Sequence, residues 1–273
     1  MKAKKFFGDL YLAVVLCFLY LPIVLIIVFS FSGNSNFAFV DGFNFKSYIE
    51  MFSGPKAGAL ADALKNTLII AAVSSVLSTV LGTFSAIGIF YLGKRMKKAA
   101  LTVNQLPMTN SEVVMAVSLM LFFSFLIPAV TRNLFSDYVV LVLSHISFCT
   151  PYVVLSVMPR MTQMNPNLYE AALDLGASPL KALFKVIVPF VMPGVISGFV
   201  MAFTLSMDDF IITQINKGEN GLNTLSTYIY EDIRVKGMQP FWFAVFSIIF
   251  VVVLTLLLIA NNKKQNKSSE EKR

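Results

Sequence analysis

Six intervals of this sequence carry no Asp, Glu, Lys or Arg. They lie between Asp9 and Asp41, Lys65 and Lys94, Glu112 and Arg132, Asp137 and Arg160, Lys185 and Asp208, and Lys236 and Lys263. Each reaches at least about the 18 residues that a membrane-crossing helix needs. Of the 273 residues 56% are hydrophobic and 14% charged, against about 25% charged in a soluble domain. Six such intervals leave no polar exterior for a soluble fold, so the bilayer is the solvent that accepts them. The expected fold class is an all-α polytopic membrane protein with six transmembrane helices, at roughly 10–31, 67–92, 112–130, 138–158, 191–213 and 241–260. Residues 1–9 then form a cytoplasmic N-terminus, 10–260 the six-span domain and 261–273 a cytoplasmic tail, polar from Asn261 and expected to be disordered.

Lysine and arginine set the orientation. With the N-terminus inside, the inner segments hold fifteen of them and the outer segments seven. Both termini are therefore expected in the cytoplasm. The net charge of +7 is explained by basic loops resting on anionic lipid and requires no nucleic acid. The first apolar stretch is too long for a secretory h-region and is followed by no small-residue cleavage pattern, so it is an anchor. Cys17 and Cys149 fall inside apolar intervals and read as small packing residues, with no metal or disulfide spacing.

The connections differ. Residues 32–66 form a long outer loop and 214–240 an outer loop of mixed charge. The inner loop 159–190 carries strong helix signals. Asn165 can cap a helix with Pro166 at its first position, and Ser178 another with Pro179. The first helix sets Leu168, Ala171, Ala172 and Leu175 on one face, the second Leu180, Leu183, Phe184 and Ile187. Gly176 suits a left-handed residue ending the first helix, and Pro189 ends the second. A short helix with two alanines beside Glu170 suits a groove on a partner, because small side chains let backbones approach and the carboxylate offers a charge to pair.

Glu170-Ala171-Ala172, three residues, Gly176, nine residues, then Val186-Ile187-Val188-Pro189 resembles the EAA motif of type I ABC importer permeases. Val186 and Val188 replace the usual Ile and Leu. The resemblance implies a type I ABC importer permease fold in the bacterial cell membrane, with Glu170, Ala171, Ala172 and Gly176 as the docking element for an ABC ATPase dimer. It also implies a second homologous permease subunit and an extracytoplasmic substrate-binding protein. Gly93-Lys94-Arg95 lacks the glycine spacing and the Ser or Thr of a phosphate loop, so ATP and Mg belong to the partner and this chain is expected to carry no cofactor.

Asp208 and Asp209 end the fifth interval. Counted from Val191 at about 1.5 Å per residue, Asp208 stands roughly 25 Å along a helix, and a carboxylate at that depth costs at least about 2.5 kcal/mol unless compensated. Adjacent residues point about 100° apart, so one can face a pathway while the other meets a neighbouring helix. The alternative is that the span ends earlier and both are wet. Pro107 and Asn110-Ser111 can break and then cap a helix before Glu112, either placing that acid at a polar break near a pathway or leaving it as a first-turn acid at the surface. Three acids beside a pathway point to a cation. The run Ser206-Met207-Asp208-Asp209-Phe210 looks like the Ser-x-Asp-Asp-Phe segment of spermidine/putrescine permeases. Tyr48 fits the same resemblance, although Ser47 stands where a Trp commonly precedes it. The resemblance implies a polyamine cargo, with iron(III) and thiamine importers as alternatives, and a pathway that includes Glu112, Asp208, Asp209, Ser206 and Tyr48. His145, the sole histidine, reads as a packed or hydrogen-bonded helix contact. A channel would need no docking loop, and an intramembrane enzyme finds no second histidine here.

Overall fold

The computed structural model describes residues 2–32, 43–127, 133–165 and 167–270. These residues are helical with no strand among them. The helices are α1 (Lys2–Phe29), α2 (Lys46–Ser53), α3 (Ala57–Tyr91), α4 (Lys94–Thr109), α5 (Glu112–Leu126), α6 (Leu134–Gln163), α7 (Asn167–Asp174), α8 (Pro179–Ala182), α9 (Val188–Asp208), α10 (Ile211–Asn216), α11 (Leu225–Lys236) and α12 (Pro240–Glu270), with a π turn at Leu183–Ile187. They fall into two compact units, one of Met1–Ala61 with Ile229–Arg273 and one of Asp62–Tyr228.

Among the described residues four helices are long and apolar enough to cross a bilayer: Gly8–Phe29, Ala57–Tyr91, Leu134–Gln163 and Pro179–Asp208. The third interval is not a straight crossing. α4 and α5 meet at a 103° bend, so they form a broken span or a re-entrant pair. The bend falls at Asn110–Ser111, where Asn110 is extended and Ser111 makes no side-chain cap. Pro107 does not break the chain as expected but sits inside α4. The apolar helix at the sixth interval extends over Pro240–Thr255. Long helices that project past their apolar stretches account for the other differences. α3 starts ten residues before the expected 67, and α2 occupies part of the expected 32–66 loop. α10 and α11 occupy much of 214–240, and α12 continues through Asn261 to Glu270, where disorder was expected.

In the first unit α12 packs on α1 and α2. Its polar centre is Asp232, which accepts hydrogen bonds from Lys56 and from the Trp242 indole at 2.7 Å, with Lys236 Nζ at 3.0 Å. Lys56 also donates to Gln239 at 2.8 Å and lies over the rings of Phe241 and Trp242, 5.2 and 5.6 Å from their centroids. Burial pushes the Asp232 carboxyl up, but the donors Lys56, Lys236 and Trp242 outweigh it and hold it below the ordinary carboxylate range. A depressed carboxyl contributes stability that is present above its unfolded pKa of about 3.9 and lost as pH falls through the folded value. Asp232→Asn leaves Lys56 without its counter-charge and is expected to cost about 3 kcal/mol. Thermal melts of the purified protein check this: the variant melts lower at neutral pH, and the gap to wild type closes on acidification below about pH 4.

In the second unit α6 is the central strut, packed against α9, α4 and α10. Hydrocarbon gives helices no hydrophobic reason to associate, so close backbone approach does that work. Gly194 and Gly198 of α9 provide it: a Cβ on Gly194 would lie 2.9 Å from the Ser156 carbonyl oxygen, and one on Gly198 3.1 Å from Val153 Cγ1. On the facing side a Cβ at Gly82 of α3 would stand 2.6 Å from Val153 Cβ, while Val153 itself is fully buried. Gly82→Ala is therefore expected to lower stability by about 1–3 kcal/mol. Gly88→Ala on the same helix, with nothing within 4 Å, is expected to be neutral or to stabilise by up to about 1 kcal/mol. Paired thermal melts in detergent separate the two. Ser74, Ser75 and Ser78 of α3 turn their hydroxyls onto their own helix, as Ser74 does to the Ile70 carbonyl at 2.6 Å. Cys149 packs fully buried on α6, with Sγ 3.5 Å from the Ala202 carbonyl oxygen, whereas Cys17 lies on an exposed face of α1.

Candidate functional site

The inner loop is built by local rules. Asn165 Oδ1 accepts the Asn167 N–H at 3.0 Å and starts α7; Pro166, expected at the first position, lies outside the described residues. α7 ends as a Schellman turn, with Gly176 at φ +82°. The Gly176 N–H donates to the Leu173 carbonyl at 2.9 Å and the Ala177 N–H to the Ala172 carbonyl at 3.0 Å. That pairing satisfies the last carbonyls of α7 at a φ that glycine adopts without strain. Ser178 Oγ accepts the Lys181 N–H at 3.4 Å, with Pro179 opening α8. Pro189 does not end the second helix as expected. The π turn lets the Val188 N–H reach back to the Leu183 carbonyl, and this wider turn carries the chain over a proline that has no N–H of its own. α8, the π turn and α9 therefore run as one helical rod from the loop into the fifth span.

The stripe expected on α7 is not buried by this chain. Leu168 is exposed and Leu175 is 89% exposed. Glu170 and Ala171 are exposed and Ala172 is half-buried. On the second helix Ile187 is buried and Leu183 half-buried, while Leu180 and Phe184 stay exposed. Tyr169 anchors α7 from its other side, with its ring 5.8 Å from that of Tyr91. Tyr91, Tyr169, Leu180, Leu183 and Ile187 line a cavity of about 290 Å³.

The second arrangement lies where α9 ends. Asp208 is its last residue, Asp209 is extended (ψ 133°), and α10 begins at Ile211. The adjacent acids separate. Asp209 turns inward and is buried. Its carboxylate accepts the N–H groups of Ile212 (3.2 Å) and Thr213 (2.9 Å) and the Thr213 hydroxyl (2.8 Å). His145 Nε2 on α6 stands 3.4 Å away. Asp208 is exposed and borders a cavity of about 290 Å³ whose lining includes Glu112, Phe148, Thr204, Asp209 and Phe210. Asn216 ties α10 to α5 by donating to the Ala116 carbonyl at 3.1 Å, and α5 carries Glu112 at its start.

Glu112, Asp208 and Asp209 therefore line one cavity. Ser206 is not in its lining. It is buried, and its hydroxyl meets that of Ser74 at 2.9 Å. Tyr48 belongs to the other unit, where its hydroxyl lies 2.7 Å from Ser30 Oγ and its ring packs on Phe31 at 5.3 Å. His145, Thr213 and Asn216 were not among the expected site residues. Only His145 had a sequence signal, a lone titratable group inside a charge-free interval.

The profile of the family described as "Binding-protein-dependent transport system inner membrane component" matches residues 78–265. The chain is 31% identical over 224 residues to the putrescine transport system permease protein PotI of Escherichia coli (strain K12), covering 82% of this chain and 78% of that protein. It is 31% identical over 242 residues to the spermidine/putrescine transport system permease protein PotC of the same strain, covering 89% and 88%. Among solved structures it is similar to a chain of a bacterial ABC transporter involved in the import of the acidic polysaccharide alginate, with a TM-score of 0.70 and 19% identity over 97% of this chain and 96% of that one. That transporter in complex with an alginate pentasaccharide-bound periplasmic protein gives a TM-score of 0.67 at 19% identity, over 96% and 94%.

Proposed function

The chain belongs to the family of binding-protein-dependent transport system inner membrane components, and on that premise we propose that it is the permease subunit of an ATP-driven importer that carries putrescine or spermidine across the cell membrane. One observation carries the choice of cargo: the cavity at the end of α9 presents two carboxylates, Glu112 and Asp208, beside the rings of Phe148 and Phe210. A polyamine is a flexible apolar chain with ammonium groups. Carboxylates attract those groups, aromatic faces hold them by cation–π contact, and the exposed position of Asp208 lets them leave. The names of relatives at about 31% identity support the same cargo. Asp209 is already occupied by donors of its own chain, so Asp208 is the member of the pair that meets cargo. Ser206 and Tyr48 act through the helices they hold.

In this reading all six apolar intervals cross the membrane, α4 with α5 as a broken crossing, and both termini are cytoplasmic. The exposed face of α7, with Glu170, Ala171 and Ala172, enters a groove on an ATPase that supplies ATP and Mg chemistry. Gly176 sets the angle between α7 and the rod that leads to Asp208. A push on α7 then reaches the acids through continuous helix, as coupling to a motor requires. A second permease subunit completes the pathway, and a secreted binding protein delivers cargo. The periplasmic protein bound to the alginate transporter supports a partner of that kind. The test is uptake of labelled spermidine and putrescine, with ATP hydrolysis, by the complex reconstituted in liposomes. Polyamine is expected to stimulate both. Stimulation by iron(III) or thiamine and not by polyamine overturns the assignment.

A further inference from the structure

His145 is a buried titratable side chain of the second unit that this transport reading leaves unused. Its side chain is 1% exposed and that of its neighbour Asp209 2% exposed. The ring is enclosed by acceptors. Nδ1 lies 2.8 Å from the Leu141 carbonyl oxygen, which can only accept, so Nδ1 carries a proton. Nε2 faces Asp209 Oδ2 at 3.4 Å and Thr213 Oγ1 at 3.5 Å. The Thr213 hydroxyl already donates its proton to Asp209 Oδ2 at 2.8 Å, so toward the ring it offers a lone pair. Both ring nitrogens thus meet acceptors, and only the imidazolium has two donors. The neighbouring carboxylate supplies the opposite charge that makes a buried cation tolerable.

This pair sits at the break between α9 and α10. Asp209 receives two N–H groups from the start of α10, and His145 belongs to α6, so the pair fastens the break to the central strut of the unit. We infer that His145, as an imidazolium paired with Asp209, is a positioning residue that fixes the α9–α10 break and thereby holds Asp208 toward the Glu112 cavity. It touches no cargo itself. The positioning half of this inference rests on the cavity reading above; the charge state of the pair does not.

Because the chain has a single histidine, its ring can be observed alone. The chain is produced with ring-15N histidine and assembled with unlabelled partner subunits in lipid nanodiscs, and the nitrogen resonances report which ring nitrogens carry protons. The expected result is protonation of both nitrogens in the wild type, and of Nδ1 alone in Asp209→Asn, where the counter-charge is gone. A neutral ring in the wild type overturns the ion pair. Uptake kinetics test the positioning. His145→Ala is expected to raise the KM for spermidine about tenfold, the scale of coupling between residues of one network. His145→Gln, which keeps a donor toward Asp209, is expected to recover part of that loss. In Asp209→Asn the His145→Ala change is expected to add nothing further. An unchanged KM in His145→Ala, or effects that multiply in the double variant, overturns the positioning role. If His145→Ala fails to assemble, Thr213→Val carries the same KM test, since it removes one donor from the same carboxylate. An unchanged KM in both Asp208→Asn and Glu112→Gln would instead defeat the cavity reading, and the nitrogen resonances would still stand.

Discussion

Charge reversal at Glu170 is expected to abolish ATP-driven uptake while leaving the protein folded in the membrane. Glu170 is exposed on α7, and among the described residues no cation of this chain pairs with it. An exposed side chain free of such ties is usually worth within about 0.5 kcal/mol to stability, so Glu170→Lys is expected to express and insert normally. In a partner groove the same change replaces a favourable charge contact by repulsion, which costs about 2–5 kcal/mol, or roughly thirty- to several-thousandfold in affinity. Uptake should fall to background and the ATPase should be lost on co-purification. Normal uptake by the variant would remove α7 from the coupling role.

Asp208→Asn and Asp209→Asn, although adjacent, are expected to fail differently. Asp208 is exposed and borders the cavity with Glu112. Removing its charge deletes a hydrogen bond between charged groups, about 1.5–3 kcal/mol, or roughly ten- to more than a hundredfold in the KM for polyamine uptake, with assembly intact. Glu112→Gln is expected to act in the same direction. Asp209 is buried and holds the start of α10. Its replacement weakens the acceptor that ties the start of α10 to the His145 ring, so it should reduce the amount of assembled complex as well as its transport. Uptake kinetics normalised to assembled complex separate the two. Normal kinetics in both Asp208→Asn and Glu112→Gln would mean that cargo passes elsewhere.

What could be read in the sequence was what neighbouring residues decide. The caps Asn165 and Ser178 and the left-handed Gly176 depend on chemistry within one turn, and each is found in place. The break before Glu112 was legible in Asn110-Ser111, although its 103° angle was not. α11 was hidden because Leu225–Lys236 mixes charge and apolar residues, which reads as loop until Asp232 is seen buried against Lys56 and Trp242. The π turn was hidden for the opposite reason. Pro189 in an apolar run reads as a stop, and only the backbone shows the turn that absorbs it. Contacts between distant segments left no local trace. His145 with Asp209 and Gly82 against Val153 bring together residues more than sixty apart in the chain, so the cavity acids were nameable from sequence but their division of labour was not.

The widened turn at Leu183–Ile187 also sets the clocking of everything beyond it. An ordinary helix advances about 100° per residue, so one additional residue wound into a single turn offsets the azimuth of the whole fifth span relative to α8. The direction in which Asp208 points is thus fixed partly by a bulge some twenty residues upstream. Removing one residue there would keep every side chain near the acids and still swing Asp208 about a quarter of a revolution away from Glu112. The spacing between the cytoplasmic turn and the acidic pair is in this sense a threaded setting, in which length and rotation cannot be changed independently.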